Sequence, residues 1–172
     1  HMVQTGQADA VVGVYRDEFD RVLFSHWHYL QDIILVIFKK GAVEKWEGEK
    51  SLRGNTGWMR GYAFNEYLQV RIGKIYETDS RESALNMLEK GRLDFFLDTE
   101  QELNEALKKN IIPVENFQVE TIFRLNVYLA FAENEKGQKL MNVFDKKMEI
   151  LVKSGELKPL YKKWNKKYPF DE

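Results

Sequence analysis

The sequence predicts an α/β chain of two similar lobes, with the first lobe incomplete, and three observations predict it. Residues 85–98, LNMLEKGRLDFFLD, read as the tail of an amphipathic helix, a glycine stop and a buried strand ending in a carboxylate. The same Gly-x-x-Asp spacing opens an earlier apolar run, because Gly6 and Asp9 precede AVVGV as Gly91 and Asp94 precede Phe95, Phe96 and Leu97. A strand, a helix and a strand then follow one another over residues 70–97, the order of a βαβ unit with parallel pairing and a right-handed crossover. In the second copy of the repeat the strand has its own preceding strand and helix, which a parallel sheet needs to cover its faces. The first copy has none before it, so the first lobe is expected to lack a βα unit and to carry an exposed apolar edge.

Composition bounds the chemistry. A chain of 172 residues with 44% hydrophobic and 31% charged residues lies in the ordinary globular range and can bury a core without disulfides or metals. The absence of cysteine excludes thiol catalysis, iron–sulfur ligation and cysteine zinc sites. A net charge of −1, with basic residues dispersed except near the C-terminus, argues against a nucleic-acid surface. The longest apolar run, residues 33–38, is of strand length, far short of the ~20 residues that a membrane helix needs.

The elements follow in order. Residues 8–14 are short and valine-rich, which predicts a buried strand, and residues 16–21 form a charged loop. Residues 30–38 within LQDIILVIFKK predict a second strand, ended by Lys39-Lys40-Gly41. Residues 42–55, broken by Gly48 and Gly54, read as a connection into a new unit. There, residues 56–60 predict a short strand, Gly61 a turn, residues 62–68 a short helix and residues 70–76 another strand. Asp79 and Glu82 resemble a capping box for a helix that Gly91 stops, residues 93–97 form the repeated strand, and residues 100–109 a further helix. Residues 117–131 predict a long strand crossing back between lobes. Met141, Phe144, Met148 and Leu151 then recur on one helical face, and Ser154-Gly155 separates that helix from a last amphipathic segment. The lobes are expected at residues 1–38 with 126–172, and at residues 39–125.

Five segments in this order resemble the extracytoplasmic solute-binding proteins of the amino-acid type, with their two-lobed type II periplasmic-binding fold. GQADAVVG is similar to the family's G-x-x-D-A strand, and RVLFSHWHYLQDIILVIFKK resembles its R-x-x-x-x-F-S-x-P-Y segment and first hinge strand. LRGNTGWMRGYAF resembles the segment opening the second lobe, ESALNMLEKGRLDFFLD its helix and G-R-x-D strand, and VYLAF with SGELKPLYKKW its second hinge strand and closing helices. Two departures stand out: the usual N-terminal strand with its aromatic turn has no counterpart, and His26-Trp27-His28 replaces the usual proline.

The resemblance implies binding of a small polar solute in a cleft that closes over it, with no cofactor. It implies that Arg16 or Arg21 takes a ligand carboxylate, with Ser25 nearby in the same segment. It implies ligand contacts from Arg60, Gly61, Tyr62 and Ala63 at a turn into a short helix, whose first backbone N–H groups favour an anion. Asp98, ending the repeated strand, is the counterpart of an aspartate that takes an amino group; as a residue it could equally cap the next helix, a role for which Thr99 competes. His26 and His28 alternate on an expected strand, a spacing able to hold a metal, but without a third ligand they are expected to pack. The partners implied are an amino-acid-like ligand and a membrane transporter or sensor-kinase or cyclase module of the parent protein, outside the cytoplasm. The open first-lobe edge adds a homodimer. An enzyme of dehydratase type on this fold, or a module that only pairs or signals, are the alternatives.

Overall fold

In a computed structural model that describes residues 1–16 and 18–171, the chain divides into two units, residues 33–124 and residues 1–32 with 125–172. Two strands, β3 (Leu30–Lys39) and β7 (Phe117–Ala132), run through both.

In residues 33–124, the apolar run becomes the buried part of β3, with Ile34 to Phe38 all inside. It lies antiparallel to β6 (Phe95–Thr99), with Leu35 opposite Asp98 and Ile37 opposite Phe96. Beyond β6 come β4 (Thr56–Met59) and then β5 (Ile75–Thr78), both in parallel pairing. The crossover from β5 to β6 is α1 (Arg81–Glu89), and α2 (Glu100–Leu107) leaves β6 directly. One sheet face packs Leu35, Ile37 and Phe96 against Ala84, Leu85 and Leu88 of α1 and Leu103 and Ala106 of α2. Opposite, Phe38 stacks on Trp46 from the loop after β3 at 5.2 Å and meets Phe95 at 5.7 Å. Covered on both faces, these strands read as continuous apolar runs rather than alternating ones.

Several local expectations shift. The strand expected over residues 70–76 is only Ile75–Thr78, and the helix expected over residues 62–68 shrinks to a 3-10 turn, Phe64–Glu66. The cap of α1 is Ser80, whose hydroxyl accepts the Ser83 N–H at 3.2 Å, so Asp79 and Glu82 do not form the capping box. Asp79 is drawn instead to Arg60.

In residues 1–32 with 125–172, β1 (Ala10–Tyr15) and β2 (Val22–Phe24) both pair antiparallel with the end of β7. Both register on Ala130 and Phe131, so they occupy opposite edges of β7, and among the described residues β1 has no other strand partner. The expectation of a buried first strand fails here: only Val14 of β1 is buried, and Val12 is 62% exposed. The repeat itself is structural, because Gly6 (φ +72°) and Gly91 (φ +70°) hold the same left-handed turn four residues before their strands begin. α3 (Glu135–Ser154) buries Met148 and sets Phe144 against Phe131, with Gly155 as its left-handed stop. α4 (Lys158–Lys163) follows.

Residues 25–29 form a bend rather than a strand, so the alternation expected for His26 and His28 is absent. The bend is fixed by the Asp145 carboxylate, which accepts the His26 and Trp27 amides at 2.9 and 3.2 Å. His28 packs on Phe170 at 4.9 Å, and burial holds its pKa below the ordinary value against the pull of the Pro169 carbonyl. Of the charged loop 16–21, Asp17 lies outside the described residues.

Candidate functional site

Asp98 is the fourth residue of β6, at the carboxyl end of a strand parallel to β4, where open α/β sheets place ligands. Its side chain is fully buried. Arg81, the first residue of α1, reaches it with a two-pronged contact, Nε to Oδ2 at 2.7 Å and Nη2 to Oδ1 at 3.3 Å. The Thr99 N–H adds a third hydrogen bond to Oδ1 at 2.8 Å; Thr99 is the N-cap of α2, and neither its side chain nor that of Asp98 caps the helix. Two neighbours complete the group. The Tyr62 hydroxyl accepts Arg81 Nη2 at 3.0 Å, and Glu102, in the first turn of α2, lies 3.3 Å from Nη1.

The electrostatics follow from the geometry. Burial pushes the Asp98 carboxyl above its ordinary pKa, while the Arg81 guanidinium and the Thr99 amide pull it back. Burial and the Asp98 charge raise the Tyr62 phenol, against the Arg81 charge, so its proton stays in place at neutral pH. That hydroxyl accepts from Arg81 and still has its own O–H to donate. The group thus presents a guanidinium and a phenol able to hold an anion, beside the half-exposed Glu102 carboxylate able to hold an ammonium.

Of these four side chains, Asp98 and Tyr62 are among the residues singled out from the sequence, and Arg81 and Glu102 are not. A signal for Arg81 exists: it directly follows the cap Ser80, at the positive end of α1, where the helix dipole disfavours a cation. A cation placed there needs a carboxylate to hold it.

The remaining expected residues are placed differently. Arg60, with its side chain 62% exposed, is committed to Asp79 at 2.7 Å and Glu77 at 3.2 Å. The expectation that backbone N–H groups of this turn await an anion meets a correction. Gly61 N–H donates to Glu77 Oε1 at 3.4 Å and Tyr62 N–H to the Met59 carbonyl at 3.1 Å, because the turn closes on itself rather than opening a helix. Ala63 holds a left-handed φ of +46°, a strained conformation for an alanine, and so turns the chain between Tyr62 and the buried Phe64.

In residues 1–32 with 125–172, the two candidate arginines separate. Arg16 donates from Nη2 to the Ser25 carbonyl at 2.9 Å and lies 4.5 Å over the Tyr128 ring. Arg21 (φ +52°) is 72% exposed and meets only Asp20, at 3.8 Å, among the described residues. Ser25 is buried; its hydroxyl donates to the Trp27 carbonyl and accepts the Leu129 N–H, so it holds the bend together. Among the described residues no three His, Asp or Glu side chains converge to hold a metal.

No family model and no curated protein sequence matches the chain. Solved structures do. A histidine kinase sensor domain with similarity to periplasmic binding proteins aligns at 18% identity over 95% of this chain and 72% of its own, with a TM-score of 0.70. The GluR0 ligand-binding core in complex with L-glutamate aligns at 16% identity over 95% of this chain and 75% of its own, with a TM-score of 0.69. An ancestral arginine-binding protein bound to arginine aligns at 19% identity over 95% of this chain and 74% of its own, with a TM-score of 0.66. The chain therefore has the mixed α/β fold of the type II periplasmic solute-binding proteins.

Proposed function

We propose that this chain is a non-catalytic, extracytoplasmic module that binds or senses a small polar solute of the amino-acid kind. The observation that carries the reading is the buried Asp98 carboxylate, held by the Arg81 fork beside Tyr62 and Glu102 at the carboxyl ends of parallel strands. In this reading the ligand carboxylate displaces Glu102 from Arg81 and accepts the Tyr62 O–H, and its ammonium group meets the released Glu102. Asp98 acts behind Arg81 by fixing its orientation. Arg16, fixed over Tyr128, is the arginine that residues 1–32 with 125–172 offer to an anion, and Arg60, Gly61 and Ala63 set the turn that carries Tyr62. Support comes from the aligned structures, whose bound molecules include arginine and glutamate, and from the sensor-domain neighbour, which suits a transporter component or a sensor-kinase or cyclase partner.

Titration calorimetry against a panel of amino acids tests the reading, with Tyr62→Phe and Glu102→Gln as variants. Each variant is expected to weaken the best ligand by roughly ten- to a hundredfold, the worth of one hydrogen bond to a charged group. A panel without a binder, or variants that bind unchanged, overturns it. The affinity has a pH signature. Burial raises the folded Asp98 pKa above its ordinary value, so on acidification its carboxylate takes a proton sooner than a free one and the Arg81 fork opens. Affinity is then expected to fall over that step while the fold holds, since a raised folded pKa means that protonating this group favours the native state. Asp98→Asn should remove the step; turnover of any substrate lost in that variant would move the assignment to an enzyme.

The place of β1 at the end of the strand order favours a homodimer as a second property. Among the described residues β1 pairs with no strand but β7, and its exposed Val12 offers an apolar contact beside which a second copy can add a strand. Sedimentation is expected to show a concentration-dependent dimer that Val12→Lys abolishes, and a monomer at all concentrations ends the idea.

A further inference from the structure

We propose that the outward face of α4, carrying Leu160, Lys163 and Trp164, docks on an anionic lipid surface. Residues at i, i+3 and i+4 share one face of a helix, so these three stand together. Leu160 is 50% and Trp164 67% exposed, and Trp164 is the most exposed large apolar side chain of the described residues. The fold holds this face outward. On the flank next to it, Tyr161 donates its hydroxyl hydrogen to the Tyr29 carbonyl and packs edge-on against Tyr168 at 5.3 Å. At the start of the helix, Lys158 is tied to Asp171 at 2.6 Å. Trp164, the residue that closes α4, is thus held on the exposed side of a helix anchored through Tyr161 and Lys158.

The chemistry of the surroundings selects the partner. Residues 136–167 hold ten lysines, of which Lys136, Lys153 and Lys158 are paired with Asp9, Glu149 and Asp171, in a chain whose total charge is −1. Lys162, Lys163 and Lys167 have no acidic partner among the described residues, and the Lys163 ammonium stands 5.8 Å from the Trp164 ring centre. An indole with an aliphatic neighbour, flanked by lysines whose stems are apolar and whose heads are charged, matches the boundary between lipid headgroups and acyl chains. The lysines meet anionic headgroups, the indole takes the interfacial level, and Leu160 enters below it. No span of the membrane is involved, since among the described residues no helix is long and apolar enough to cross one. The inference is independent of the ligand reading.

The test uses the full chain with vesicles of phosphatidylcholine alone and of phosphatidylcholine mixed with phosphatidylglycerol, read by cosedimentation and by tryptophan emission. Binding to the mixed vesicles at low salt, its loss at high salt, and a blue shift of emission that Trp164→Ala removes are expected. Lys162→Gln, Lys163→Gln and Lys167→Gln together should lower vesicle affinity at least roughly tenfold. Thermal unfolding of each variant, expected to match the parent at these exposed positions, shows that folding is intact. The proposal is overturned if anionic vesicles do not bind at low salt, or if Trp164→Ala binds equally. It is also overturned if duplex DNA binds as well as vesicles, which would mark a polyanion contact only, or if a homodimer buries Trp164.

Discussion

Replacing Arg81 with alanine is expected to lower the unfolding free energy by about 3–5 kcal/mol, among the largest effects of any single side chain near the candidate site. The reason is the neighbour left behind. Asp98 is fully buried, and two of its three hydrogen bonds come from the Arg81 guanidinium. Alanine leaves an ionised carboxylate with the Thr99 amide alone, in a place from which burial already drives its pKa upward. The pH dependence tells this cause from simple loss of packing. Without Arg81 the Asp98 carboxyl should take a proton at still higher pH, so the deficit of Arg81→Ala should shrink as the solution is acidified. Asp98→Asn in the Arg81→Ala background should recover part of the loss, because a neutral amide costs less to bury than a carboxylate. Chemical denaturation of the two single variants and the double variant at two pH values measures both. A deficit below about 1 kcal/mol, or one independent of pH, would mean that the pair is only a surface contact of the usual small worth.

Arg81 also marks how far the sequence could be read. The strands were legible where burial on both faces forces a continuous apolar run, as in IILVIF of β3 and FFL of β6. The glycine-led repeat was legible because a left-handed turn leaves glycine at a fixed distance before each strand. Asp98 was legible for the same reason, as the one carboxylate at the end of a buried run. Its partner was not, because Arg81 lies seventeen positions earlier on another element, and only the parallel crossover of α1 brings them together. The exposure of β1 was illegible in kind. Valine-rich composition reports what a strand can bury, whereas its place at the end of the strand order is a property of topology. The sequence of residues 60–63 suggests a turn into a helix, yet Ala63 takes a left-handed conformation that no propensity for alanine suggests.

The turn from β7 into α3 yields the other large effect. Gly137, in the first turn of α3, is buried, and a Cβ there would lie 2.9 Å from the Ala132 carbonyl carbon and 3.1 Å from its amide nitrogen, closest of all to its carbonyl oxygen. All three are backbone atoms, so no side chain can swing aside. Nor can that backbone shift without cost. The Ala132 carbonyl accepts the Asn134 N–H at 2.8 Å, and the Ala132 N–H donates to the Asp9 carbonyl at 2.9 Å, which ties the end of β7 to the segment before β1. Asn134 in turn caps α3 by accepting the Gly137 N–H at 2.9 Å. Helix propensity alone would make alanine better than glycine here by about 1 kcal/mol. The clash opposes it and is larger, because relief requires moving the cap, the strand end and the helix start together. Gly137→Ala is therefore expected to destabilise by roughly 2–3 kcal/mol net, a fall in melting temperature of about 5–10 °C. Asn134→Ala, which removes the cap and adds no atom in the gap, should cost only about 1 kcal/mol. Calorimetric melting of the two variants separates the causes: a Gly137→Ala protein as stable as the parent would show that propensity governs this turn and that the close approach of helix to strand does not.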